Sequence, residues 1–155
     1  ERKSVLRQLL ELYAHDFGEY DDADVSEHGL YGYKYLDHYW TESGRHPFFI
    51  VVDGQLAGLV LFNGYCTVVQ EPGAKSIAEF FVMRKYKVKG VGRIGATRAF
   101  ELFPGRWEVL QYGGNAPSYA FWEKVIGAYT GGRYEKGPVT TEDWEGQAIT
   151  FDNSP

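Results

Sequence analysis

Glycines and basic residues are concentrated in the segment VKGVGRIG, residues 88–95, at the start of a predicted helix. A glycine inside a helix costs about 1 kcal/mol relative to alanine, so this concentration indicates that something approaches the backbone closely. The free backbone N–H groups at the start of a helix attract anions. Three basic side chains, Lys87, Lys89 and Arg93, add positive charge. We therefore expect a phosphate or pyrophosphate site here, unless the glycines only serve a tight turn and packing.

Two common nucleotide-binding loops can be compared with this segment directly. The P-loop pattern, with Gly-Lys-Ser/Thr at its end, is not present in it. The dinucleotide pattern Gly-x-Gly-x-x-Gly is present at Gly90, Gly92 and Gly95, and Glu108 stands near the distance expected of a ribose ligand. This pattern follows two predicted helices and a hairpin, however, instead of the first strand of a βαβ unit. A dinucleotide-binding enzyme therefore stays as one alternative.

The periodicity of apolar residues predicts the elements that position this loop. Helical spacing begins after Ser4, a candidate N-cap, and ends near Phe17 and Gly18. Asp53 and Gly54 between two apolar runs predict a hairpin with a type I′ turn. The further predicted elements are a helix over 33–43, strands over 76–83 and 106–113, helices over 92–103 and 117–126, and a last hairpin formed by 131–139 and 146–153. This order indicates an α+β or mixed α/β fold.

Two segments together resemble the GNAT superfamily of acetyl-CoA-dependent N-acetyltransferases. EFFVMRKYKVKGVGRIGATRAF is similar to its central motif Arg/Gln-x-x-Gly-x-Gly/Ala, with Lys87 in the Arg/Gln place before Gly90 and Gly92. NAPSYAFWEKVIGAY is similar to its second motif at Asn115 and Ser118. Residues 78–123 look especially like a bacterial branch of predicted acetyltransferases whose acceptors are unassigned. The resemblance implies one domain over residues 1–155, although the usual first strand is not seen before residue 4. Its fold would be a mixed, mostly antiparallel central sheet flanked by about four helices.

The resemblance also implies which residues hold the acetyl donor, acetyl-CoA. Backbone groups near the end of a strand would pair with the pantetheine arm, the glycine loop would bind the pyrophosphate, and the second motif would close the other side. The residues at these matching positions are Phe81, Val82 and Met83 for the arm, Lys87, Val88, Lys89, Gly90, Val91 and Gly92 for the pyrophosphate, and Asn115, Ser118 and Trp122 for the other side.

Glu79 is the candidate general base. On a regular strand it shares one face with Ile77, Phe81 and Met83, and a carboxylate among apolar groups tends to have a raised pKa. The stretch EFFVM also resembles the DFFVM of diamine acetyltransferases, whose acidic residue faces the acceptor amine. The alternative is a Glu79 that faces solvent or forms a salt bridge.

The candidate general acid is less well defined. The family often has a tyrosine seven residues after the motif asparagine, and here that position is Trp122, which cannot donate a proton to a thiolate. Tyr119 is the first candidate in its place, with Tyr112 and Tyr129 as others. The thiolate is also stable enough to leave without an acid. Trp122 further keeps a non-catalytic acyl-CoA sensor of the same fold as an alternative.

An acidic cluster between the two predicted N-terminal helices is the candidate acceptor site. In the superfamily this region borders the acceptor cleft, and negative charge would concentrate a cationic amine there. The candidate residues are Asp21, Asp22, Asp24 and Tyr31, with the aromatics that follow Tyr31 as further lining. Cation–π contact could hold an ammonium against these rings. A solvated acidic loop is the alternative.

Composition limits the partners. The chain has 155 residues, a net charge of −5 and one cysteine, Cys66, so it is unsuited to internal disulfides and to nucleic acid as its main partner. No apolar run approaches the roughly 18 residues of a membrane span. The four histidines lack metal-ligand spacing, so we expect no metal. These features favour a cytoplasmic enzyme, monomeric or homodimeric, that acetylates an amine of a small molecule or peptide and binds neither nucleic acid nor membrane.

Overall fold

Six strands form one mixed sheet in the computed structural model, which describes residues 2–87, 90–142 and 145–155. The strands are β1 (Arg45–Val52), β2 (Gln55–Asn63), β3 (Lys75–Val82), β4 (Arg106–Tyr112), β5 (Glu135–Thr140) and β6 (Glu145–Asp152). The helices are α1 (Lys3–Asp21), α2 (His38–Thr41), α3 (Val91–Leu102) and α4 (Ala116–Thr130), with a 3-10 turn over Arg84–Tyr86. The strand order across the sheet is β1-β2-β3-β4-β6-β5; β3 and β4 run parallel, and the other neighbouring pairs are antiparallel. The predicted fold class is confirmed.

The hairpin between β1 and β2 forms as its turn residues predict. Asp53 has a φ of 50° and Gly54 a φ of 80°, as the two central positions of a type I′ turn require. The antiparallel register places Val52 opposite Gln55 and Arg45 opposite Asn63. This local signal is therefore sufficient to define one edge of the sheet.

The two N-terminal helices differ from their predicted bounds. Ser4 is not an N-cap, because α1 begins at Lys3 and is preceded by Arg2 without a side-chain cap. The second helix is only one turn long, over His38–Thr41. The chain before it is bent at Gly32, whose φ is 76°, so a regular helix cannot start there.

Helices cover both faces of the sheet and form two apolar cores. Phe62, Phe100 and Trp107 belong to the core under α3 and α4. Leu6 and Leu59 belong to the core under α1 and α2.

None of the described helices is both long enough and apolar enough to cross a membrane. That residues 1–155 form a single domain stays a prediction.

The sheet opens between β3 and β4. These strands pair over only three positions, from Lys75 opposite Trp107 to Ile77 opposite Val109. Directly beyond them, a bulge at Ala78 interrupts the register with β2. The extra residue reverses the alternation of side chains, since two residues of one strand then face one residue of its partner.

The bulge corrects one prediction about Glu79. Glu79 lies opposite Leu61, which belongs to the core under α1, whereas Ile77 packs in the core under α3 and α4. Glu79 and Ile77 are therefore on opposite faces, contrary to the regular alternation that the sequence predicts. Phe81 does share the face of Glu79.

Candidate active site

The opening between β3 and β4 contains three adjoining cavities. The central cavity, of about 450 Å³, is lined by residues 77–80 of β3, 109–112 of β4, and Asn115, Ser118 and Trp122. The helix-side cavity, of about 480 Å³, lies between residues 80–82 of β3, the C-terminal half of α1 and the starts of α3 and α4. The tyrosine-rich cavity, of about 830 Å³, is named for Tyr33, Tyr35, Tyr39, Tyr65 and Tyr112 in its walls. The arrangement can hold one long ligand along the opening, or two ligands that meet in its centre.

Glu79 lines both the central and the tyrosine-rich cavity. Burial raises the pKa of its carboxyl to about 7, and hydrogen bonding by the hydroxyls of Tyr13 and Tyr33 partly opposes this rise. The side chain is half-buried, so it is shielded from bulk water but reachable from the cavities. A carboxylate with this pKa can accept a proton near neutral pH.

Tyr13 and Tyr33 are matched to the carboxylate as hydrogen-bond donors. Burial, followed by the charge of Glu79, raises the pKa of each phenol well above its ordinary value. Both hydroxyls therefore stay protonated over the whole neutral range. They hold Glu79 in place from the α1 side of the sheet.

Glu11 supports this arrangement from α1. Its two carboxylate oxygens accept hydrogen bonds from the backbone N–H groups of Tyr31 and Gly32, each at 2.8 Å. These hydrogen bonds fix the position of the segment that contains Tyr31 and Tyr33, both of which line the central cavity. The sequence does not indicate Glu11 or Tyr13 as site residues, because nothing local to α1 signals contacts with a strand and a loop so distant along the chain.

Each glycine of the loop meets a different structural requirement. Gly90, the residue before α3, has a φ of 74°, and no side chain caps the helix there. A Cβ at Gly92 would lie 3.0 Å from the Phe121 ring, and one at Gly95 would lie 3.0 Å from Ile50. Packing therefore accounts for Gly92 and Gly95, while Gly90 allows the turn that exposes the first N–H groups of α3.

Basic side chains lie at the same end of the cleft. Lys87 is exposed and lines the helix-side cavity, as does Arg84, which pairs with Asp16 at 2.7 Å. Val91 is buried in the core under α3, so only its backbone N–H is available to a ligand. Val88 and Lys89, also predicted here, lie outside the described residues.

Two of the three predicted backbone contacts on β3 are wrong. Met83 donates its N–H to the Ala57 carbonyl at 2.7 Å and accepts from Tyr86 at 2.8 Å, so both of its backbone groups are used. Backbone groups alternate between the two edges of an antiparallel strand, so those of Phe81 also face β2. Consistently, a Cβ at Gly58 of β2 would collide with the Phe81 carbonyl oxygen.

The backbone groups of Phe80 and Val82 face the cleft instead. Their register partners in β2 are Val60 and Gly58, but at these alternate positions the backbone groups point away from β2. They lie beyond the point where β4 separates, so no strand in the described part of the chain borders them on that edge. The role of Phe80 is not visible in the sequence, because the direction of its backbone groups depends on pairing with β2. The rings of Phe80 and Trp122, 4.8 Å apart in an edge-to-face contact, form a wall between the central and helix-side cavities.

The start of α4 brings its three predicted residues together. Asn115 caps the helix by accepting the Ser118 N–H at 3.1 Å. Asn115, Ser118 and Trp122 lie three or four positions apart, and all three line both the central and helix-side cavities. Trp122 is only 4% exposed, so it forms part of the wall and packs in the core at once.

Tyr119 is wrongly predicted as the general acid. It follows Ser118 on the helix, so its side chain turns away from the cavities and packs against the core near Tyr134. The hydroxyl of Tyr129 accepts a hydrogen bond from Asn153 at 3.2 Å, also away from the cleft. Tyr112 does line the central and tyrosine-rich cavities.

The predicted acceptor residues are brought together only in part. Asp21, Asp24 and Tyr31 line the central cavity, and Asp21 lines the tyrosine-rich cavity as well. Asp22 lines neither, because it ends α1 in a left-handed turn with a φ of 56°. Within residues 2–87, 90–142 and 145–155, no three His, Cys, Asp or Glu side chains are grouped to hold a metal ion.

Glu108 is a structural residue of β4. It is fully buried and accepts hydrogen bonds from the backbone N–H groups of Thr67, Val68 and Val69 at 2.8–2.9 Å. A carboxylate enclosed in this way cannot bind a ribose. Together with the mostly antiparallel sheet, this makes the dinucleotide-binding alternative wrong.

Similarity to known proteins shows the family of this chain. The model of the Acetyltransferase (GNAT) family matches residues 6–128. The chain belongs to the GNAT acetyltransferase family. This confirms the resemblance of the two motifs, the fold and acetyl-CoA as the acetyl donor. No sequence among the curated proteins is a significant match.

Solved GNAT structures share the fold at low sequence identity. An acetyltransferase from Thermus thermophilus is 11% identical with a TM-score of 0.70, covering 97% of this chain and 90% of its own. An aminoglycoside acetyltransferase in complex with coenzyme A and kanamycin is 16% identical with a TM-score of 0.69, covering 97% and 89%. The PaiA N-acetyltransferase from Thermoplasma acidophilum, in complex with coenzyme A, is 10% identical with a TM-score of 0.58, covering 98% and 93%.

Proposed function

We propose that this GNAT acetyltransferase transfers the acetyl group of acetyl-CoA to a primary amine, with Glu79 as the general base. The observation that carries the proposal is the position of Glu79, which lines the central and tyrosine-rich cavities with a pKa raised to about 7 by burial. A carboxylate in that position can meet an amine arriving from one side and a thioester arriving from the other.

Coenzyme A fits the helix-side cavity. The pyrophosphate lies at the start of α3, where the free N–H groups after Gly90 and the charge of Lys87 attract it. The pantetheine arm runs along β3 and pairs with the backbone groups of Phe80 and Val82, like an added strand. Asn115, Ser118 and Trp122 cover its other side. Val88 and Lys89 stay predicted contacts of the pyrophosphate.

The acceptor enters through the tyrosine-rich cavity. Asp21, Asp24 and Glu79 give this side of the cleft a negative field, which attracts an alkyl ammonium, and Tyr31 contributes a ring beside it. That an aminoglycoside acetyltransferase with kanamycin bound shares this fold is consistent with an amine acceptor.

Transfer requires one proton to leave the ammonium before attack. Glu79 accepts it, directly or through a bridging water, and the free amine attacks the thioester carbonyl. The new C–N bond forms and the C–S bond breaks. The nitrogen releases its second proton to water to give the neutral amide, and the thiolate takes a proton from water or from Tyr112, which water then reprotonates. Trp122 has no part in proton transfer and serves as a wall for the thioester.

A thiol-release assay with acetyl-CoA and a panel of amines tests this function. We expect turnover with at least one primary amine and a fall of at least about a hundredfold in kcat/KM for Glu79→Gln at pH 7. Glu101→Gln is the matched control, since Glu101 is exposed on α3. Binding of acetyl-CoA without any turnover would support the non-catalytic sensor instead, and transfer only to hydroxyl acceptors would contradict an amine substrate.

A further inference from the structure

A cation lies in the wall of the tyrosine-rich cavity. Arg45, the first residue of β1, lines this cavity together with Asn63, Ser76 and Glu79. Its side chain is 11% exposed, so the charge is largely removed from bulk water yet borders an open cavity. An arginine in the acceptor cavity is unexpected if that cavity only has to attract cations.

Arg45 and Glu79 lie on the same face of the sheet, at opposite ends of the wall that the sheet contributes to the tyrosine-rich cavity. The register places Arg45 opposite Asn63 and Asn63 opposite Ser76, three residues before Glu79. With strands about 4.8 Å apart and about 3.3 Å per residue, the two Cα atoms are separated by roughly 12–14 Å. Both side chains extend into the cavity, so a short ligand of a few bonds can reach from one charged group to the other.

The position of the guanidinium is fixed by its surroundings. The Nε atom of Arg45 donates to Glu42 at 2.9 Å. The rings of Tyr35, Tyr39 and Tyr65 lie 4.4–5.5 Å from its central carbon. In the ranges 2–87, 90–142 and 145–155, Glu42 is the one carboxylate in an ion pair with Arg45.

This leaves Arg45 with binding capacity. The hydroxyls of Tyr39 and Tyr65 also hydrogen-bond to the guanidinium. A guanidinium has five N–H donors, and one carboxylate and two hydroxyls use only part of them. Its planar terminal N–H groups match a second carboxylate in a paired arrangement. The cavity therefore has carboxylates at Asp21 and Glu79, and at its other end it has the N–H donors of Arg45, whose charge Glu42 balances in part.

We propose that the acceptor is an amino acid or a related zwitterion, whose carboxylate binds Arg45 while its amine is held near Glu79. This deepens the proposed function and rests on it, since it specifies the substrate class of the same site. The two charges of the substrate then match the two ends of the cavity, and Arg45 selects for the carboxylate without touching the reacting atoms.

The test compares acceptors that differ only in the carboxylate. Amino acids of the form H₂N-(CH₂)n-COO⁻, from glycine to 6-aminohexanoate, and lysine are each paired with the corresponding carboxamide. We expect kcat/KM for the best carboxylate to exceed that of its amide at least tenfold. Arg45→Met should remove this preference, so that the carboxylate and its amide react at similar rates, and Arg45→Lys should retain part of it. Arg98→Met is the control, because Arg98 is exposed on α3.

The outcomes separate the two proposals. Equal rates for carboxylates and amides in the wild-type enzyme, or a carboxylate preference that survives in Arg45→Met, overturn this inference and leave amine acetylation intact. The absence of thiol release with every amine overturns both. If Arg45→Met does not fold, the wild-type comparison and Arg45→Lys still decide, since a carboxylate preference that is undiminished in Arg45→Lys contradicts the proposed paired contact.

Discussion

Glu79 lies directly opposite Leu61 across the β2–β3 pair, one residue after the bulge at Ala78. The bulge turns Glu79 to the face covered by α1, where Tyr13 and Tyr33 meet it. Without the extra residue, the same carboxylate would point into the core under α3 and α4. One inserted residue therefore determines both the direction and the chemistry of the candidate base.

The first prediction concerns the pH dependence of activity. Because Glu79 acts as a base only when ionised, kcat/KM should rise with pH through a pKa of about 7 and then level off. Tyr33→Phe removes a hydrogen bond that lowers this pKa, so the rise should move to higher pH. A pH–rate profile of Glu79→Gln should lack the inflection near pH 7 and should recover only in part at higher pH, where more free amine exists. A profile identical to wild type would remove Glu79 from the mechanism.

The second prediction concerns stability. The pKa of Glu79 is raised from 4.5 to about 7 by folding, so the folded protein binds a proton that the unfolded chain releases between these values. Its contribution to stability is present below pH 4.5 and is lost as the pH rises through 7. Glu79→Gln, which never ionises, should therefore be more stable than wild type by about 1–3 kcal/mol at about pH 8 and nearly equal at about pH 4.5. Urea unfolding at both pH values measures this, with Glu101→Gln expected to show no such difference.

The third prediction concerns the close approach of β2 to β3. Gly58→Ala should destabilise the fold by at least about 2 kcal/mol, because its Cβ would collide with the Phe81 carbonyl oxygen. Gly137→Ala in β5 is the control, since a Cβ there meets nothing within 4 Å. Similar unfolding midpoints for the two variants would show that the strands can move apart without cost.

The fourth prediction separates charge from packing at the glycine loop. Gly92→Ala only adds a methyl group against Phe121, whereas Gly92→Asp also adds a carboxylate beside the proposed pyrophosphate site. We expect Gly92→Asp to bind acetyl-CoA at least tenfold more weakly than Gly92→Ala at low salt, with the gap narrowing as salt is added. Equal affinities in calorimetry would place the pyrophosphate elsewhere.

The fifth prediction distinguishes the tyrosines. Tyr119→Phe should keep kcat within about twofold of wild type, because its side chain faces away from all three cavities. Tyr112→Phe should lower kcat if a tyrosine protonates the thiolate. The loss should not exceed about a hundredfold, the low end of general-acid effects, because the thiolate is stable enough to leave without an acid. Steady-state kinetics on both variants checks this, and a larger loss in Tyr119→Phe would contradict the orientation of α4.

Local signals account for the features that the sequence predicts well. Asp53 and Gly54 specify their turn through their own backbone conformations, and the spacing of apolar residues specifies α3 and α4. Helical spacing also indicates in part that Trp122, and not Tyr119, faces the cleft, since residues four apart share a helix face. Ser118 and Trp122 satisfy that spacing, and Tyr119 does not.

Contacts between distant segments account for what the sequence could not predict. The bulge at Ala78 depends on how β3 pairs with β2, and no residue near it specifies an insertion. The bonds from Glu11 to Tyr31 and Gly32 join segments that are far apart along the chain. Arg45 lines the tyrosine-rich cavity only because three strands align side by side, which the spacing of residues along the chain does not reveal.

The three-residue contact between β3 and β4 also has a kinetic consequence. A coenzyme arm that pairs with Phe80 and Val82 while touching α4 bridges the two halves of the sheet at the point where they are least connected. Its arrival should therefore set the width of the cleft and complete the wall against which an acceptor rests. We expect compulsory-order kinetics, in which acetyl-CoA binds first and the amine second, and in which the acetylated product leaves before the free thiol.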